Sequence, residues 1–182
     1  MINSIQTVLF FQLCLVVLTF GQETRLPPIP FYQINSHELV LGYTYLGADH
    51  QEKYPELPLR LLEFGYARSW MTHGGPHGPF GLIFSATQSW AIHRRFLTST
   101  RVGVGSRAWM GHIGLYLDYY TDFQYGNLKL SPEIGFANHW FKAVMGFNIP
   151  TFYNRDFEDL RHAALHLTLA VNVPVHRKRV AP

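Results

Sequence analysis

The feature that most constrains this chain is a period of two. Between residues 101 and 149, large apolar side chains alternate with small or polar ones, and turn-like breaks interrupt the alternation at regular intervals. Successive side chains of an extended strand point to opposite faces, so the pattern is that of consecutive antiparallel strands with one greasy face and one polar face. From residue 37 onward the chain divides into about eight such units, none with an apolar stripe at helical spacing.

The units share one logic. Residues 38–47 set Leu39, Leu41, Tyr43 and Tyr45 against Gly42 and Thr44. Residues 59–70 set Leu62, Phe64 and Tyr66 against Glu63, Gly65, Ala67 and Ser69. In 80–90, Phe80, Leu82, Phe84 and Ala86 oppose Gly81, Ser85, Thr87 and Ser89, with Ile83 falling on the polar side. Units at 96–106, 111–121, 128–136 and 141–149 continue the alternation. The unit at 163–173 is the most regular, with Leu165, Leu167, Leu169, Val171 and Val173 on one face and His166, Thr168 and Asn172 on the other.

A soluble barrel or sandwich would turn the apolar face inward, and a transmembrane barrel would turn it toward lipid. Three features favour the second. The units run to about 9–12 residues, the length of a tilted bilayer strand. The polar face is rich in Gly, Ala, Ser and Thr with few charges, as a narrow lumen requires. Aromatics fall near unit ends (Tyr43, Tyr45, Tyr66, Trp70, Trp90, Trp109, Tyr119, Trp140), as interfacial girdles do. An open sheet in hydrocarbon would leave edge N–H and C=O groups unpaired, so the strands must close. The sequence therefore predicts an all-β fold, an eight-stranded antiparallel up-and-down transmembrane barrel whose interior is filled by side chains rather than open as a pore.

Composition agrees. Charged residues make up 15% of the 182-residue chain, low against roughly 25% in a soluble domain. The net charge of +3 is too small to imply nucleic acid, and no basic run is interleaved with stacking aromatics. Residues 8–20 form an apolar run too short to span a bilayer as a helix, followed by small residues and Gln22. We therefore expect a secretory signal peptide at 1–21, a proline-bearing lead-in at 22–36, the barrel at 37–175 and a basic tail at 176–182. Cys14, the single cysteine, lies in the signal, so the exported chain would have no disulfide, thiolate ligand or cysteine nucleophile.

With both termini on the periplasmic side, the connections at 48–58, 91–95, 122–127 and 150–161 fall outside. The turns at 106–110 and 137–140 are short, as periplasmic turns are. The connection at 71–79 is longer than that rule prefers.

The stretches Trp109, Tyr119-Tyr120-Thr121-Asp122-Phe123, Ser131-Pro132-Glu133-Ile134-Gly135, Gly146-Phe147-Asn148-Ile149 and Asn154-Arg155-Asp156-Phe157 resemble small, largely uncharacterised outer-membrane-type β-barrel proteins of Bacteroidetes bacteria. The resemblance covers roughly residues 101–175. It implies an exported barrel in the outer membrane of a Gram-negative bacterium and carries no established activity or site residues. Barrels of that kind usually end on an aromatic residue, whereas here the last strand is expected to end near Val175 before the basic tail.

The charges expected to face the lumen are Glu63, Arg101, Asp118, Lys129 and Glu133. A buried charge is expensive unless paired, so we expect them to form mutual ion pairs, with Arg101 or Lys129 bridging Glu133 and Asp118. His73 and His77 bracket Gly74-Gly75-Pro76, which excludes the helix a shared metal would need, so no metal site or other cofactor is expected. His112 and His166 fall on the inner face near Tyr116, Ser99 and Thr168, and a serine–histidine–acid acyl hydrolase or transferase is an alternative. A third reading is a soluble lipocalin-like barrel holding a hydrophobic ligand. Gly103-Val104-Gly105 has no following helix to meet a phosphate and reads as a side-chain-poor lumen face. The expected partners are the lipid bilayer and an outer-membrane or extracellular molecule contacting the outer loops, above all Asn154, Arg155, Asp156, Glu158 and Asp159.

Overall fold

In a computed structural model, residues 31–47, 59–74, 78–92, 96–152 and 163–180 are described. The expected signal peptide, the loop at 48–58, His77 and the contact loop carrying Asn154, Arg155, Asp156, Glu158 and Asp159 lie outside them.

The described strands are β1 (Tyr32–Gly47), β2 (Leu59–His73), β3 (Phe80–Ala91), β4 (Thr98–Ala108), β5 (Gly111–Thr121), β6 (Gly126–Ala137), β7 (Phe141–Phe147), β8 (Ile149–Phe152) and β9 (Leu165–Val180). Each pairs antiparallel with its neighbours in the order β5-β4-β3-β2-β1-β9-β7-β6, and a β5–β6 ladder closes the ring. β8 continues the line of β7 past Asn148 along β6, so β7 and β8 form one stave and the barrel has eight. Pro132 of β6 has no N–H to donate. The ladder from β6 is interrupted at that level, between Glu133↔Gly146 and Leu130↔Ile149.

The period-two pattern sorts as the sequence predicts, with the greasy face outward. Ile113 is 66% exposed, and Leu115, Leu117, Val102, Leu167 and Met145 are also exposed. Asp118 and Lys129 are 0% exposed. This is the reverse of a lipocalin-like interior. Ile83, out of place in a polar face, meets Val40, Ala67 and Ala170 in a small apolar cluster inside the barrel.

Two expected boundaries are corrected. β1 begins at Tyr32, within the lead-in, and β9 runs to Val180 rather than ending near Val175. The basic residues expected as a tail extend the sheet, pairing Ser36↔Arg177, Asn35↔Lys178 and Ile34↔Arg179 after a register shift at His37/Glu38. The Arg179 guanidinium lies over the Tyr32 ring at 4.1 Å, and Tyr32 stacks on His73 at 5.2 Å.

Short turns close the end that carries both described termini. Trp109 and Met110 join β4 to β5, with Trp109 at a φ of 58°. Asn138 joins β6 to β7 by accepting the Trp140 and Phe141 amides, both at 2.8 Å, in an Asx turn. The long connection after β2 is partly strand, since β2 continues to His73. Its far side packs on the next turn: the Trp109 amide donates to the Pro79 carbonyl at 2.8 Å. A Cβ on Gly78 would sit 2.8 Å from the Trp109 indole.

Candidate functional site

Register, more than proximity in sequence, assembles the lumen. Arg101, Asp118 and Lys129 occupy one row across β4, β5 and β6. Four residues further along, Gly105, Gly114, Glu133, Gly146 and His166 form a second row running from β4 to β9. The glycines of that row make space for large groups. A Cβ at Gly146 would meet His166 Cε1 at 2.3 Å, and one at Gly114 would meet Tyr116 Cε2 at 2.4 Å. The missing side chains at Gly114 and Gly146 leave the space that the Tyr116 and His166 rings occupy beside Glu133.

Arg101 ties the rows together. Its Nε donates to Asp118 Oδ1 at 2.5 Å, its Nη2 to Asp118 Oδ2 at 3.1 Å and its Nη1 to Glu133 Oε1 at 2.5 Å. Fork geometry of this kind suits a guanidinium between two carboxylates. On its other oxygen Glu133 meets Lys142 Nζ at 2.6 Å, and His166 Nε2 lies 3.0 Å from Glu133 Oε1. His166 Nδ1 lies 3.0 Å from Asn148 Oδ1, which also accepts from Ser131 Oγ at 2.8 Å. Lys129 Nζ donates to the Ala163 carbonyl at 3.2 Å, and Tyr120 lies beneath it.

Of the five charges singled out in the sequence, all are buried in the lumen. The bridge between Asp118 and Glu133 is Arg101. Glu63 stands apart on β2, where it accepts from Thr44 Oγ1 at 3.2 Å, and Thr44 in turn bonds Thr168 at 2.9 Å. Sequence reasoning missed three further lumen charges: Lys142, and the pair Arg107–Glu38, whose closest atoms are 3.8 Å apart. Their signal was available. Arg107 shares the parity of Arg101, Gly103 and Gly105, and Glu38 that of Gly42 and Thr44. Ser69 Oγ donates to Glu38 at 2.8 Å.

The inner face is thus self-neutralising. Glu38, Glu63, Asp118 and Glu133 balance Arg101, Arg107, Lys129 and Lys142. At the loop end of the lumen, Leu46, Leu59, Leu61, Leu97, Tyr120 and Ala163 form an apolar cluster above the charges. A void of about 20 Å³ remains among Glu63, Arg101, Lys142, Thr168 and Asn172, room for roughly one water molecule. His112 contacts Tyr116, and His166 contacts Glu133 and Asn148. These contacts give both histidines partners within the packed interior, and neither arrangement is that of a base beside a serine nucleophile. Beyond the strands, in the turn after β6, His139 is held below the ordinary imidazole range by burial and then by the charges of Arg177 and Arg107.

Fold and lumen together define the class: a closed, eight-stranded, up-and-down antiparallel barrel with an apolar outer wall and a packed, ion-paired interior. Compared with known proteins, the chain matches no family model, no curated protein and no solved structure.

Proposed function

We propose that the protein is an outer-membrane β-barrel that serves a structural or interaction role and is not a channel. The observation that carries this reading is the distribution of charge and grease across one wall. Every carboxylate of the described strands (Glu38, Glu63, Asp118, Glu133) is buried in the lumen, while Leu, Ile, Val, Phe and Met cover the outside. Water would leave that outer surface an apolar patch far larger than the few hundred Å² typical of soluble monomers; hydrocarbon matches it.

The packed interior supports a plugged lumen. Ion pairs and the apolar cluster fill the cross-section, and a void of about 20 Å³ admits neither a solute path nor an acyl chain. The chain's contribution to biology then falls to surfaces outside the lumen, and the outer loops and the lipid bilayer are the contacts this reading assigns.

Heat-modifiable gel migration after folding into detergent micelles or vesicles tests the reading. The expected result is a faster-migrating folded band that appears only with detergent or lipid and is lost on boiling. A monodisperse, folded protein in plain buffer after removal of residues 1–21 would overturn it.

A further inference from the structure

The outer wall carries one arrangement that grease alone does not explain. Arg68 is exposed on β2, within the outward row Leu62, Phe64, Tyr66, Arg68, Trp70. Its neighbours across the sheet are His37 on β1 and Phe84 on β3. Its neighbours along the outer face of β2 are Tyr66 and Trp70. None of these bears a negative charge. The guanidinium lies 4.7 Å from the Trp70 ring centroid, and His37 hydrogen-bonds the Tyr66 hydroxyl. A cation, an indole, a phenol and an imidazole therefore share one patch at the border of the apolar wall.

Beside the patch the wall is indented. A groove of about 650 Å³ runs over β2 to β5, lined by Tyr66, Arg68, Trp70, Phe84, Val104 and Leu115. Ala86 on β3 and Val102 on β4 also line it, smaller side chains between larger neighbours. Its walls are apolar and its charged group is Arg68. The charge asymmetry is general: the exposed charged side chains on the described strands are Arg60, Arg68, Arg177, Lys178 and Arg179, with His176 beside them, and all are basic. Among the described strands, the outer wall carries no carboxylate to face these cations.

From this we infer that the groove and its Arg68–Trp70 rim are a binding site for an anionic phospholipid, with an acyl chain along the groove and the phosphate at Arg68. The inference rests on the membrane reading above. An apolar body fits the groove, a phosphate supplies the charge Arg68 lacks, and Trp70 with Tyr66 offers the amphipathic rings that favour the headgroup level.

Folding the full chain into phosphatidylcholine vesicles doped with brominated phosphatidylglycerol, or with brominated phosphatidylcholine at equal fraction, provides the test. Bromines on the acyl chain quench nearby indoles. We expect stronger quenching by the anionic lipid, corresponding to about a fivefold preference. The preference should vanish in Trp70→Phe, fall to none in Arg68→Gln, return in Arg68→Lys and weaken with added salt. Arg68 is exposed, so these variants retain the barrel, which gel migration verifies. Equal quenching by the two lipids in the wild type, or a preference undiminished in Arg68→Gln, would overturn the site while leaving insertion intact. Failure to insert into either vesicle would overturn the membrane reading itself.

Discussion

The two walls of the lumen are built differently. On β4 to β7, long charged side chains crowd together: Arg101, Asp118, Lys129, Glu133 and Lys142. Across the void, β1, β2, β3 and β9 present a small apolar cluster of Val40, Ala67, Ile83 and Ala170, with Glu63, Thr168 and Asn172 around it. The difference teaches how a narrow ring carries so much charge. One wall supplies reach and the other supplies room: Arg101 with Asp118 and Lys142 with Glu133 pair between neighbouring strands of the charged wall, and the smaller side chains opposite leave space for them.

The largest effect should come from cutting the charged wall at its hub. Arg101→Met leaves Asp118 and Glu133 facing each other without their shared cation. We expect a loss of about 3–5 kcal/mol in urea unfolding of the vesicle-folded protein. A loss below about 1 kcal/mol would mean that Lys142, Lys129 and His166 suffice, and that the hub assignment is wrong. The outer wall comes next. Leu115→Arg should cost about 2–4 kcal/mol in a bilayer, falling to within about 0.5 kcal/mol if that wall meets water instead. The same titration reads the difference.

Smaller effects separate room from reach. A Cβ at Gly103 would approach Tyr116 Cδ1 to 2.4 Å and the Leu115 carbonyl to 2.5 Å, so Gly103→Ala should destabilise by about 1–3 kcal/mol. An unchanged midpoint would show that Tyr116 can swing away and that the charged wall is less tightly packed than its contacts imply. On the opposite wall, Ile83→Val removes one methylene from the apolar cluster. The expected cost is about 0.5–1.5 kcal/mol. If it matched the loss from Arg101→Met, the two walls would not differ in the way described.

How much of this was legible beforehand varies with the range of the interaction. Strand positions and the inward or outward sense of Leu115, Ile134, Met145, Asp118 and Glu133 follow from alternation, which is local. Ile83 violated the pattern, and nothing nearby in sequence announces Val40, Ala67 or Ala170 as its partners; they come from three other strands. The paired β9 extension was hidden for a similar reason. Residues 176–179 read as solvated charge, but after the register shift at His37 their backbone completes the ladder with β1.

The sequence by itself determined the strands, the two faces and the set of charges available to the interior, because a period of two is written residue by residue. Only the tertiary structure decided which charges meet. The row that runs from Gly105 through Gly114, Glu133 and Gly146 to His166 depends on the register of four ladders, the closing β5–β6 ladder among them. Those are properties of the ring, and no single strand encodes them.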